Sequence, residues 1–205
     1  MCRRTIGRVW FAAGVTQDLE IVAFASAEAF EAWLGENHAV SPGIWLKLRK
    51  KGPGIVALDY AQALDVALCY GWIDGQKAKL DDHWWTQRFT PRTPRSKWSK
   101  VNRDKVAALI EQGRMRPPGQ AEIDRAKADG RWEAAYDSAK TATVPDDLAR
   151  ALTAAPAAAA FFETLDRQNR YAILYRIQDA KKAETRARRI EKYVAMLARG
   201  EKPHP

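Results

Sequence analysis

GWIDGQKAKLDDHWWTQRFTPRTPRSKWSKVN, Gly71 to Asn102, is the stretch on which the fold turns. Trp72–Leu80 and Trp84–Thr90 alternate in the two-residue rhythm of strands about a turn at Asp81-Asp82, so the stretch reads as an antiparallel hairpin. It holds Trp72, Trp84, Trp85 and Trp98, and it opens the densest basic run of the chain: Arg88, Arg92, Arg95, Lys97, Lys100, Arg103 and Lys105 against Asp104 alone. Arginine offers a flat fork of donors and tryptophan a stacking face, a combination suited to a surface that holds an anion. The same pattern also reads as a hairpin whose aromatics are core and whose charges are a solvated face. Antiparallel pairing about the turn would bring Asp74 within reach of Arg88, as a structural salt bridge or as part of a polar site. Pro91 and Pro94 break the second strand into a stiff arm carrying Arg92, Arg95 and Lys97.

Ser99 then reads as the N-cap of a helix with Val106, Leu109 and Ile110 on its buried face and Gly113 at its end. Such a helix start offers free backbone N–H groups and the positive end of the dipole, with Ser96, Ser99 and Asn102 as further donors. The candidate ligand site is therefore Trp72, Asp74, Arg88, Arg92, Arg95, Trp98, Ser99 and Asn102. In it the arginines hold an anion, Trp98 or Trp72 stacks on an attached ring, and Asp74 orients Arg88.

Upstream, Met1–Gly14 faintly imitates a signal peptide, but its apolar patch is short, Gly14 interrupts it and no clear cleavage site follows. Residues 1–20 are expected to be disordered or a misassigned start, with Val15 opening the protein proper. Ile21–Ala25 reads as a short strand, and Ser26 caps a helix with Phe30, Trp33 and Leu34 on one face. Ser41-Pro42-Gly43 is a turn. Ile44–Leu48 is a strand that runs into Arg49-Lys50-Lys51 and Gly52-Pro53-Gly54, either an anion-facing loop or a solvated hairpin tip. Asp59 and Gln62 fit a capping box for a helix with Tyr60, Leu64, Ala67 and Leu68 on one face and Gly71 as its stop. Cys69 has no neighbour in sequence to lower its pKa and reads as a structural, uncatalytic cysteine.

Downstream, Pro117-Pro118 begins a helix that ends at Gly130, and Thr141–Pro145 reads as a linker. Four helices follow: Pro145–Leu152, Pro156–Leu165, Asp166–Gln178 and Ala180–Arg199. The last carries Ala183, Ala187, Ile190, Val194 and Leu197 on one face and Lys181, Lys182, Arg186, Arg188, Arg189 and Lys192 on the other.

With 205 residues, 46% hydrophobic and 29% charged, the chain is globular in composition. The net charge of +9 and a pI near 9.7 favour acidic partners, a small anionic ligand or nucleic acid. The longest apolar run, Ala154 to Phe162, is far too short to span a membrane. Cys2 and Cys69 make no disulfide framework, so a reducing cytoplasm is expected. His38, His83 and His204 lack partners at metal-ligand spacing, and neither GxGxxG, a Walker loop nor GxSxG occurs, so neither a metal nor a cofactor is expected.

CYGWIDG (Cys69–Gly75), RFTPR (Arg88–Arg92) and SKWSKVN (Ser96–Asn102), taken in this order, resemble the YdeI/OmpD-associated, or bacteriocin-protection, family. The resemblance continues through GRW (Gly130–Trp132) with Ala135-Tyr136 and through AKKAETRARRIEKYVAMLARGEKPHP (Ala180–Pro205). It implies an association with envelope or bacteriocin stress and brings no catalytic residue with it. The reading as a whole is an α+β fold: a small, mostly antiparallel sheet with packed helices over residues 21–140, then a helical region over 145–205. The function expected is that of a cytoplasmic binding protein for an anionic ligand. One alternative is a nucleic-acid-binding module using residues 88–105 and the last helix. Another is an enzyme acting on a phosphorylated or carboxylated small molecule.

Overall fold

The structure, a computed structural model, describes residues 19–50 and 58–205. The expectations for the N-terminal segment as far as residue 18, and for Gly52-Pro53-Gly54, concern residues outside that range. The chain divides into two compact units, residues 1–96 with 102–133 and residues 97–101 with 134–205.

The first unit runs β1 (Ile21–Val22), α1 (Ala27–Asn37), β2 (Ile44–Arg49), α2 (Tyr60–Cys69), β3 (Trp72–Lys79) and β4 (Trp84–Pro91). It takes in most of α3 (Lys100–Glu111) and all of α4 (Pro117–Ala128). The sheet order is β1-β2-β4-β3, with β1 parallel to β2 and the other two pairs antiparallel. The fold is α+β with a mostly antiparallel sheet, as the sequence predicts.

Local chemistry sets the ends of these elements. Ser26 Oγ accepts from the Ala29 amide at 3.3 Å. Asp59 and Gln62 close a capping box, the Gln62 amide donating to Asp59 Oδ1 at 2.8 Å and the Asp59 amide to Gln62 Oε1 at 3.1 Å. Gly71 takes φ +73°, which lets α2 end and the chain turn straight into β3. In the hairpin turn, Asp81 Oδ1 accepts from the amides of His83 at 2.7 Å and Trp84 at 2.8 Å. The His83 bond, with the Trp84 bond and nearby Lys47 and His83 charge, holds the Asp81 carboxyl below its usual pKa.

Strand alternation gives the sheet two unlike faces. Ile44, Leu46 and Leu48 of β2 share one face with their partners Phe89, Gln87 and Trp85 of β4. The helices pack there: the Phe30 and Phe89 rings lie 6.0 Å apart, Trp33 and Trp72 5.8 Å, Tyr60 and Trp85 6.0 Å. The other face carries Trp45, Lys47 and Arg49 with their partners Arg88, Thr86 and Trp84. A bulge interrupts the β3–β4 ladder, which steps from Asp74↔Phe89 to Lys77↔Gln87. The buried Gln87 amide bridges it, donating to the carbonyls of Gly75 at 2.8 Å and Gln76 at 3.2 Å. In α3, Val106 and Leu109 are buried as expected, but Ile110 is 44% exposed because it lies one position round the helix from that stripe.

The second unit joins the short strap Lys97–Val101 to α5 (Asp146–Thr153), α6 (Pro156–Thr164), α7 (Arg167–Gln178) and α8 (Ala183–Ala198). Its core includes Leu148, Phe162, Ile173, Ile177, Tyr193 and Leu197. Asp166 caps α7 through the Asn169 amide at 2.7 Å, and Asn169 Oδ1 accepts from the amide of His204, fastening the C-terminal tail. On α8 the buried residues are Ile190, Tyr193 and Leu197, with Val194 only partly covered. The predicted stripe is wrong at its start, since Ala183 and Ala187 are exposed. The first turns of α8 are held instead by Arg186, whose Nε and Nη2 grip Asp147 at 2.5 and 2.9 Å while Nη1 donates to the Ile177 carbonyl. Among the described residues no helix is long and apolar enough to cross a membrane.

Candidate functional site

The predicted site residues divide between the two units. Trp72, Asp74, Arg88, Arg92, Arg95 and Asn102 belong to the first, Trp98 and Ser99 to the second. Within the first unit they do not form one cleft. Trp72 lies on the helix-covered face, 1% exposed, edge-on to Trp33, with its indole N–H donated to the His38 carbonyl at 3.2 Å. It is a core ring with no solvent face on which a ligand could stack.

Asp74 does not meet Arg88. The bulge sets Asp74 opposite Phe89, on the helix face, where its Oδ2 accepts from the Tyr60 hydroxyl at 2.7 Å. Arg88 is on the other face, its aliphatic stem lying over Gly75, where a Cβ would sit 3.7 Å from it. Strand parity therefore separates a pair that the hairpin had seemed to join. Arg92 is 5% exposed and its amide donates to the Gly71 carbonyl at 3.0 Å. Asn102 is 8% exposed. Only Arg95 stands in solvent, on a turn in which the Thr93 amide donates to Ser96 Oγ and the Ser96 amide to the Thr93 carbonyl, both at 2.9 Å. Ser96 thus serves the turn.

In the second unit the segment Lys97–Val101 is a strap bound by backbone and charge. The Tyr136 amide donates to the Trp98 carbonyl at 3.0 Å and the Lys100 amide to the Tyr136 carbonyl at 2.9 Å, so Ser99 sits in a short parallel bridge to Tyr136. The first-turn amide of Lys100 is accordingly taken and does not await an anion. Trp98 is 2% and Ser99 9% exposed. Lys97 Nζ meets Asp179 at 2.5 Å and the Tyr175 hydroxyl at 3.2 Å, and Lys100 Nζ meets Asp137 at 2.7 Å.

Three of the seven cations of the basic run thus find carboxylates inside the protein, and a fourth finds a backbone carbonyl. Lys105 pairs with Asp65 at 2.7 Å, and Arg103 donates to the Trp132 carbonyl at 2.8 Å with its guanidinium 5.1 Å from that ring. The basic face of α8 is also partly used, by Arg186 on Asp147 and by Arg189 on the Arg176 carbonyl. What remains is a set that the sequence reading did not single out: Lys47 and Arg49 beside Arg88, with Trp45 and Trp84 among them on the outer face of the sheet. Among the described residues no carboxylate lies within ion-pair distance of Lys47, Arg49 or Arg88. Arg88 Nε is buried without a hydrogen-bond partner. Lys47 Nζ rests 4.5 Å and the Arg49 guanidinium 5.9 Å from the Trp84 ring centre. The signal was present in IWLKLR, where Trp45, Lys47 and Arg49 fall at every second position.

The helix-covered side of the same hairpin holds a cavity of about 450 Å³ lined by Lys50, Lys77, Ala78, Lys79 and Trp85. Two of its lysines are already engaged, Lys50 on the Asp81 carbonyl at 3.0 Å and Lys79 on Asp82 at 3.2 Å. No cluster of three or more His, Cys, Asp or Glu suited to a metal ion occurs among the described residues.

Cys69 is 3% exposed, and burial, acting against the Arg114 and Arg116 charges, pushes its thiol up to about 11. At pH 7 only about one thiol in ten thousand would then be thiolate, too few for a nucleophile. Peptide mapping after a brief treatment with a thiol reagent at neutral pH is expected to find Cys69 unmodified in the native protein and modified in the denatured one. Rapid labelling of the native protein would contradict the burial.

Residues 22–122 match a family described as Domain of unknown function (DUF8412), and this span contains the GWIDG, RFTPR and SKWSKVN motifs. Comparison with curated proteins and with solved structures finds no match. Residues 141–200, which cover α5 to α8, match the family described as Bacteriocin-protection, YdeI or OmpD-Associated. The helical C-terminal segment of the chain is thus similar to the YdeI/OmpD-associated, bacteriocin-protection family.

Proposed function

We propose that this is a cytoplasmic, stress-linked binding protein that holds an anionic ligand on the outer face of its sheet. The observation that carries the reading is the trio Lys47, Arg49 and Arg88, which project from one face of β2 and β4 without a carboxylate partner among the described residues. Several cations elsewhere are paired internally, Lys105 with Asp65, Lys100 with Asp137, Arg186 with Asp147 and Lys97 with Asp179. The buried, unbonded Nε of Arg88 adds to this, because an unmet guanidinium N–H costs about 1–3 kcal/mol that an acceptor oxygen would relieve. Like charges on neighbouring strands also repel, and a bound anion removes that repulsion.

The test is calorimetric titration with short-chain polyphosphate. The protein should bind with an affinity that falls as salt rises. Replacing Lys47, Arg49 and Arg88 together with Gln should weaken binding about tenfold or more, the loss of at least one charge-assisted hydrogen bond. Arg95→Glu, on the turn outside the sheet, should change it far less. A triple variant that binds as well as the wild type, or an Arg95→Glu variant that does not bind, would remove the sheet face from consideration.

A further inference from the structure

The outer sheet face combines its cations with two tryptophans in a fixed order. Across the β2–β4 ladder Trp45 pairs with Arg88, Lys47 with Thr86, and Arg49 with Trp84. Each tryptophan thus has an arginine directly opposite, and the two rings stand at opposite corners of the face. Along β2 the positions of Trp45 and Arg49 are four residues apart, a rise of about 13 Å. Trp45, Lys47, Arg49, Trp84 and Arg88 are all half-buried, their stems covering the buried Thr86 at the centre.

We infer that the anion held here is a single strand of nucleic acid, with Trp84 as a stacking platform for a base and Lys47, Arg49 and Arg88 on the neighbouring phosphates. The inference rests on the sheet-face reading above and narrows it. A simple anion has no use for an indole ring, whereas a strand presents flat bases and phosphates in alternation, the same alternation that the face shows. A duplex is disfavoured, because its base faces are hidden and its major groove admits a helix or a two-stranded ribbon rather than the face of a four-stranded sheet.

Lys47 has to leave the Trp84 ring for a base to stack there, and the magnitudes permit it. An exposed cation–π contact is the weaker of the two, and a base stacked on an aromatic side chain outweighs it. The flexible lysine stem also lets its ammonium follow a phosphate as the ring is taken. Asp81 feels the Lys47 charge without forming an ion pair with it, and its Oδ1 already accepts from two turn amides.

The experiment compares three probes with the full-length protein: short oligothymidylate, the same strand annealed to its complement, and short-chain polyphosphate. Oligothymidylate should quench tryptophan fluorescence and bind at least about tenfold tighter than the duplex. Trp84→Ala should lower the affinity for oligothymidylate relative to that for polyphosphate by roughly 5- to 150-fold, the equivalent of one lost stack. Trp84→Phe, which keeps a stacking ring, should restore part of that ratio and decides the matter should the alanine variant fold poorly. An unchanged ratio in both variants, or equal binding of duplex and single strand, would overturn the single-strand inference while leaving the anion face standing. If none of the three probes binds, the sheet-face reading falls with it.

Discussion

Trp72→Ala should lower the stability of the first unit by about 3–5 kcal/mol, the range for removing a large buried aromatic ring. The indole is 1% exposed, packed edge-on against Trp33, and its N–H is donated to the carbonyl of His38. Truncation would open a cavity between α1 and the sheet and leave that carbonyl without this donor. Denaturant unfolding checks the loss, and a ligand titration of the protein that remains folded separates packing from binding. Stability should collapse while intrinsic affinity at the outer sheet face holds, because Trp72 lies on the opposite face of the sheet. A small stability change with a large loss of affinity would return Trp72 to the role of stacking platform that the sequence proposed for it.

Gly119→Ala is expected to act in the opposite direction to helix propensity. In a free helix, alanine in place of glycine would stabilise by up to about 1 kcal/mol. Here a Cβ on residue 119 would run into the Cys69 carbonyl oxygen at the end of α2 and sit 2.6 Å from Met115 Sδ. The methionine can swing aside, but the carbonyl is backbone, and it already accepts the Arg116 amide at 3.2 Å. Forcing α4 away from α2 should cost about 1–3 kcal/mol or more, the usual range for overpacking. Thermal unfolding of the variant checks the sign. A melting point at or above the wild-type value would mean that the two helices part without loss.

Much of the architecture was legible because it rests on short-range chemistry. The period-two pattern on either side of Asp81-Asp82 specifies the hairpin. Ser26, the Asp59–Gln62 pair and Gly71 specify the start or stop of helices through bonds to amides three residues away or through a positive φ. The candidate site was less legible for two reasons. Two residues of β3, Gly75 and Gln76, lie opposite the single Arg88 at the bulge, and Arg88 occupies the next place along β4 from Asp74's partner Phe89; the Asp74 and Arg88 side chains therefore project from opposite faces. In addition, the basic run was read without its partners, which are remote in the chain: Asp179 stands 82 residues from Lys97, and Asp65 stands 40 residues from Lys105.

From its sequence alone, this protein is an α+β chain with a tryptophan-rich hairpin, a surplus of positive charge and a helical C-terminal region resembling the YdeI/OmpD-associated family. The fold class, the hairpin and the charge follow from periodicity, caps and composition, which act between residues near one another in the chain, while the resemblance rests on motifs matched as they stand. Which cations remain available was decided only by tertiary structure. Folding brings Asp65, Asp137 and Asp179 onto Lys105, Lys100 and Lys97. It also puts Trp72 under the helices and sets Lys47, Arg49 and Arg88 on the face away from them. The reason is that a charge is satisfied or left free by whatever the folded chain places within a few ångströms of it, and no local pattern specifies that return.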